Sequence, residues 1–227
     1  MASNKEKKQD EMAIDRVNSQ LTDAGARLAE NKKVIFIAIG VILVVAAFTM
    51  SYLFIYKNPH VDKAFEAYNS IETQANLTDS LAAEQYMQVA DSYKGETAGK
   101  LAALNAGELL YNQGRYEEAA EYLKRFSSGD DVLEANALVL TGDCYVNLAN
   151  YPEALSYYDK AIRKASGNPQ IVPRVLLKEA NVYDAEGNYA KALECYENIK
   201  ANFPKFQLGN NLEIDAYIER EKARMAQ

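Results

Sequence analysis

A short motif that returns at a nearly constant interval constrains this chain of 227 residues more than any other feature. The motif reads Gly/Ala-x-Tyr-x-x-Ala, and its three copies span residues 114–119, 149–154 and 187–192. Their closing alanines lie 35 and 38 residues apart. Repeats of this length are typical of stacked helical hairpins, because each hairpin buries its apolar face against the next one.

Small residues stand at matching places in the two halves of each repeat. Seven residues before each motif the chain has Gly107, Gly142 and Ala180, and four residues after each closing alanine it has Leu123, Tyr158 and Tyr196. Helices approach most closely where side chains are smallest, so we predict that Gly107 meets Ala119 across one hairpin. The arrangement resembles the tetratricopeptide repeat (TPR), although the large aromatic that opens that motif is missing here.

A weaker hairpin and a terminal helix complete the predicted fold. The weaker hairpin pairs residues 61–73 with residues 81–93, and residues 212–225 carry an apolar stripe that would cover the last repeat. The resemblance implies an all-α fold. We expect a single N-terminal transmembrane helix followed by a TPR-like α-solenoid of about four helical hairpins with a C-terminal capping helix.

The predicted membrane helix is the uncharged run at residues 34–56, VIFIAIGVILVVAAFTMSYLFIY. At about 1.5 Å per residue, its 23 residues would span a hydrocarbon core of about 30 Å. A cleaved signal peptide is the alternative, but its apolar region would be shorter and followed by a small-x-small cleavage site. We therefore expect an uncleaved anchor between a tail, residues 1–33, and an outer domain, residues 57–227.

Charge sets the expected orientation and narrows the class of partner. Residues 14–33 hold four Lys and Arg, whereas residues 57–76 hold two, which predicts a cytoplasmic N-terminus and a C-terminal domain outside the cytoplasm. Residues 57–227 carry 18 Lys and Arg against 26 Asp and Glu. This acidity argues against a nucleic-acid partner, since phosphate binding needs clustered cations.

Nothing in the sequence predicts catalysis, a cofactor, a metal or a small-molecule substrate. The chain has one histidine, His60, and two cysteines, Cys144 and Cys195, which we expect to be structural thiols. One histidine cannot build a Ser-His-Asp triad or a histidine metal site. We therefore expect a protein that binds other proteins and is not an enzyme.

The predicted binding surface lies on the first helix of each hairpin, on the inner side of the array. It is apolar with an acidic rim and suits extended protein segments. The alternative is that these side chains only pack against neighbouring helices. The predicted groove residues are Leu101, Leu104, Glu108, Tyr111, Val139, Asp143, Val146, Arg174, Leu177 and Asn181.

Two further sites are predicted outside the groove. The tail carries a heptad stripe that either docks on a cytoplasmic partner or belongs to a disordered segment. The stripe consists of Ile14, Val17, Leu21, Ala24 and Leu28. The triplet Asp79-Ser80-Leu81 resembles a bacterial O-glycosylation signal, which makes Ser80 a candidate modification site.

The layout as a whole resembles one family of bacterial envelope proteins. A lead of Asn31-Lys32-Lys33 enters the apolar run, Ala64-Phe-Glu-Ala-Tyr68 follows it, and degenerate TPRs end in a helix. This order is similar to that of the YfgM-like ancillary subunits of the Sec translocon. The resemblance implies an inner-membrane protein with SecYEG, a periplasmic chaperone or exported clients as partners. A TPR scaffold in another envelope or secretion complex is the alternative.

Overall fold

The computed structural model describes residues 32–206 and 214–226, and it contains helices but no β-strand within those ranges. The contacts divide the chain into two compact units, with the boundary between His60 and Val61. The predicted all-α fold is confirmed. The helices are α1 (Lys32–Ser51), α2 (Asn58–Glu72), α3 (Asp79–Ser92), α4 (Thr97–Asn112), α5 (Tyr116–Leu123), α6 (Asp131–Asn147), α7 (Tyr151–Ala165), α8 (Val172–Ala185), α9 (Tyr189–Asn202) and α10 (Ile214–Met225).

The first unit contains the apolar run. Helix α1 continues into a π-helical segment, Tyr52–Lys57, and neither element has a buried residue. Phe36 and Ile55, for example, are 71% and 78% exposed. The helical stretch Lys32–Glu72 is long and apolar enough to cross a membrane. The predicted tail stripe, from Ile14 to Leu28, lies outside the described residues.

The repeated motif begins where the first helix of a hairpin ends. Gly114 and Ala149 both adopt a left-handed backbone, with φ of 78° and 56°. The following amide closes the helix in the same way in both copies: Arg115 N donates to Leu110 O and Asn150 N to Tyr145 O, each over 2.9 Å. The first motif position therefore favours glycine, because a Cβ makes this backbone conformation unfavourable, and Ala149 adopts it against that preference.

Small residues then allow the two helices of a hairpin to touch. A Cβ added at Gly107 would lie 2.5 Å from Leu123 Cγ and 3.2 Å from the Ala119 carbonyl oxygen. The next repeat reproduces this geometry, since a Cβ at Gly142 would lie 2.5 Å from the Tyr158 ring. The predicted close approach of Gly107 to the helix carrying Ala119 is confirmed, and the residues four positions later fill the space beside each glycine.

Helix α10 covers the last hairpin, as the repeat architecture requires. Its Ile218 is buried, and the ring of Tyr217 lies 5.1 Å from the ring of Tyr196 on α9. The carboxyl of Glu221 is completely buried and accepts a hydrogen bond of 2.6 Å from Arg220. The terminal helix is therefore fixed by an apolar contact and by charge pairing together.

Glu179 on α8 places a carboxyl at a core position. Its side chain is 7% exposed and occupies the place that leucine holds in the TPR pattern. Burial, together with the negative charge of Asp159 on α7, raises the pKa of Glu179 to about 7. The folded protein therefore stabilises the protonated form of the Glu179 carboxyl relative to the ionised form.

We predict that Gly107→Leu and Gly142→Leu each lower the free energy of unfolding by about 1–3 kcal/mol, because the added side chains overpack the hairpin. The control is Gly129→Leu, at a position with no atom within 4 Å of the added Cβ. Melting curves followed by circular dichroism measure the effect. Unchanged melting temperatures in both variants would contradict the hairpin register.

A second prediction concerns pH. The raised pKa of Glu179 means that the folded state binds more protons than the unfolded state, whose Glu titrates near 4.3. The contribution of Glu179 to stability is thus complete below about pH 4 and is lost as the pH rises through about 7. Through Glu179, the wild-type protein should lose roughly 2–4 kcal/mol of unfolding free energy between pH 5 and pH 8. Glu179→Gln should not show this loss.

The measurement is the free energy of unfolding of both proteins at the two pH values. Glu194→Gln serves as the control, since it removes an exposed carboxyl from α9. The prediction fails when Glu179→Gln keeps the wild-type difference between pH 5 and pH 8.

Candidate functional site

The first helices of three successive hairpins, α4, α6 and α8, enclose a groove with a volume of about 280 Å³, which we call the central groove. Two residues at the start of α7 and in its middle complete the wall. The central groove is lined by Tyr111, Asp143, Val146, Asn147, Tyr151, Tyr158, Lys178, Asn181, Val182 and Ala185.

Asp143 organises the polar part of the central groove. The hydroxyl of Tyr158 donates to Asp143 Oδ1 over 2.6 Å, and Lys178 Nζ lies 2.9 Å and 3.0 Å from the two carboxylate oxygens. The side chain of Asp143 is 16% exposed and that of Lys178 is 40% exposed. Burial, with the neighbouring Asp143 charge, raises the pKa of Tyr158, so its hydroxyl remains a proton donor.

Amide side chains lie beside this network. Asn147 Nδ2 donates to the carbonyl oxygen of Asp143 over 2.9 Å and approaches the Tyr111 hydroxyl at 3.5 Å. Asn181 is exposed, and no hydrogen bond within the described ranges uses its side chain. Such amides can donate and accept at once, which suits the alternating N–H and C=O groups of an extended peptide.

The structure brings four of the ten predicted groove residues together, namely Tyr111, Asp143, Val146 and Asn181. Leu101, Val139 and Leu177 are instead half-buried against the core clusters. Arg174 is exposed in the first turn of α8, where its Nε donates to the carbonyl oxygen of Gln170.

Two of the remaining predicted residues differ sharply in exposure. Leu104 is only 6% exposed, belongs to a core cluster and is not among the residues that line the central groove. It points toward α5 and α6 side chains because that side of α4 also has to fill the interior. Glu108 is exposed, although surrounding protein desolvates its carboxyl and raises its pKa.

Lys178, Tyr158 and Asn147 are groove residues that the sequence patterns did not predict. The ring of Tyr158 is buried beside Gly142, but its hydroxyl reaches Asp143. The signal that could have found Lys178 is its spacing of 35 residues from Asp143, one repeat length with opposite charge. Contacts between equivalent helices recur at that separation.

The other predicted positions lie away from the groove. Ser80 is exposed in the first turn of α3, whose N-cap is Thr78, and its glycosylation stays a prediction. Cys144 and Cys195 are both buried and unpaired. Burial raises the pKa of each thiol to about 12, which makes them poor nucleophiles.

Comparison with known proteins identifies the repeat. One family model described as "Tetratricopeptide repeat" matches residues 80–131 and 104–169. A second model with the same description matches residues 174–205. Human tetratricopeptide repeat protein 21B is 28% identical over 145 residues, which is 63% of this chain. The matched region covers 10% of that relative's own length.

Solved structures are similar to this chain at low sequence identity. A crystal structure of MamA protein gives a TM-score of 0.51 at 19% identity, covering 74% of this chain and 88% of that one. PilF from Pseudomonas aeruginosa gives a TM-score of 0.46 at 21% identity, covering 84% and 82%.

The stacked hairpins and their lined groove define an α-solenoid whose class of function is a scaffold for protein–protein interaction. Together the two family models match more than half of the chain, and this chain belongs to the tetratricopeptide repeat proteins. Proteins of this family are generally not enzymes.

We predict that Asp143 and Lys178 couple adjacent repeats energetically. In a double-mutant cycle with Asp143→Asn and Lys178→Met, we expect a coupling energy of about 0.5–2 kcal/mol, because the pair is partly exposed and Asp143 also accepts a hydrogen bond from Tyr158. Urea unfolding of the four proteins gives the value. Additive effects of the two substitutions would show that the pair does not hold the repeats together.

Proposed function

We propose that this TPR protein is a non-enzymatic subunit of the bacterial Sec translocon, anchored in the inner membrane, with its repeats in the periplasm. The observation that carries the proposal is the joining of an exposed apolar helix to a solenoid with a polar-lined groove. Without a bilayer, side chains such as Phe36 and Ile55 would remain in water. This exposure costs about 25 cal/mol of free energy for each Å² of apolar surface.

The end of the apolar helix supports the proposed orientation. The rings of Tyr52 and Tyr56 stack with centroids 5.7 Å apart, and the His60 ring lies 6.4 Å from that of Tyr56. Aromatic side chains with a polar end favour the interface between lipid and water. The excess of Lys and Arg before residue 34 favours a cytoplasmic N-terminus, so this aromatic end would face the periplasm.

The central groove supports binding of extended protein segments. Val146 and Val182 give it apolar walls, while Asn147 and Asn181 offer amides to the backbone of a ligand. A membrane anchor keeps the groove at high local concentration near the channel, so weak contacts would suffice to hold emerging clients or a periplasmic chaperone. The resemblance of the layout to the YfgM-like subunits supports SecYEG as the membrane partner.

Affinity purification in mild detergent, combined with crosslinking, tests this division of roles. Deleting residues 1–56 should abolish co-purification with SecYEG. The double variant Asn147→Glu with Asn181→Glu should retain SecYEG and lose most crosslinks to clients or chaperone, because it adds two negative charges to the central groove. Asn198→Glu, at an exposed position on α9, is the matched control and should behave as wild type.

The same cells test the orientation. In spheroplasts with an intact inner membrane, added protease should digest the repeats, whereas digestion only after lysis would overturn the periplasmic assignment. Capture of a different envelope complex in place of SecYEG would instead favour the scaffold alternative. SecYEG bound equally well by the chain lacking residues 1–56 would contradict anchoring through the membrane helix and tail.

A further inference from the structure

Two acidic residues occupy the same position in successive repeats but have different surroundings. Glu108 directly follows Gly107, and Asp143 directly follows Gly142, so both lie one residue after the closest approach of their hairpin. Asp143 is held by the Tyr158 hydroxyl at 2.6 Å and by Lys178 Nζ at 2.9 Å. Its charge is thus compensated within the protein.

The residues equivalent to those two partners are apolar around Glu108. Leu123 stands where the next repeat has Tyr158, since each is the side chain nearest the hairpin glycine. Leu140 stands two residues before Gly142, as Lys178 stands two residues before Ala180. Neither leucine can donate a hydrogen bond or carry a positive charge.

Among the described residues, none consequently supplies a counter-charge to Glu108. Within residues 32–206 and 214–226, no hydrogen bond or ion pair involves its carboxyl. Desolvation is the cause that raises the pKa of Glu108, with no cation acting against it. The side chain is nevertheless exposed, and Tyr111, one turn further along α4, lines the central groove. A ligand in the groove could therefore reach the carboxyl.

We propose that Glu108 binds a Lys or Arg side chain of the protein segment held in the central groove. The ligand would supply the positive charge that Lys178 supplies to Asp143 one repeat later. This inference rests on the proposed groove function and adds the chemistry of the ligand: an extended, mainly apolar segment with one basic side chain. Charge complementarity carries it, because a partly desolvated carboxylate without a counter-ion gains most from a cation.

The test measures binding of probe peptides to the full-length chain in detergent micelles by fluorescence anisotropy. Three twelve-residue peptides of alternating Leu and Ser carry one central Lys, Gln or Glu. Wild type should bind the lysine peptide about three- to tenfold more tightly than the glutamine peptide, a range set by a charge-assisted contact that remains partly hydrated. The glutamate peptide should bind most weakly.

Two variants locate the effect. Glu108→Gln should bind the lysine and glutamine peptides equally, and Leu140→Lys should do the same by supplying an internal cation. Glu121→Gln removes an exposed carboxyl from α5, the other helix of the same hairpin, and should keep the wild-type preference. Circular dichroism melts verify that each variant is folded.

The outcomes separate this inference from the function on which it rests. Binding of all three peptides without a preference for lysine would overturn the role of Glu108 and leave the groove function standing. A lysine preference that persists in Glu108→Gln would overturn it as well. If wild type binds none of the peptides, the groove function itself fails, and the inference fails with it.

Discussion

The close approach of two helices at a glycine is the contact on which the rest of the structure depends. At Gly142 the opposite helix comes within 3.2 Å of where a Cβ would stand, through the Ala154 carbonyl oxygen, and Gly107 has the same distance to Ala119. This spacing leaves room for one large side chain beside each glycine, Leu123 or Tyr158. The hairpin geometry is therefore fixed by side-chain size, and the stacking of hairpins follows from it.

Polar contacts then link equivalent helices of successive hairpins. Asn105 on α4 donates to the Tyr68 hydroxyl on α2 over 2.8 Å, Lys178 on α8 pairs with Asp143 on α6, and Arg220 on α10 lies 3.2 Å from Asp184 on α8. These pairs are 35–37 residues apart, one repeat length. Helix α10 thus takes the place of the first helix of a further repeat and closes the series.

Repeats with the same backbone geometry differ in function through the side chains at their equivalent positions. Glu108, Asp143 and Asn181 occupy one such position, each one residue after the small residue of its hairpin. Asp143 pairs with Lys178 and accepts a hydrogen bond from Tyr158, whereas the repeat that carries Glu108 has leucines at both equivalent positions. One repeat therefore uses its acidic residue to join neighbouring hairpins, and the repeat before it leaves the acidic residue for a ligand.

The sequence by itself determined the three hairpins that carry the repeated motif, their order and the place of closest approach. Those features depend on side-chain size at fixed spacing, which a single chain displays as a period. Only the tertiary structure decided that Leu104 is interior, that Tyr158 carries its hydroxyl to Asp143, and that Lys178 belongs to the groove. The rotation of each helix about its own axis sets which neighbours a side chain meets, and that rotation results from packing across repeats.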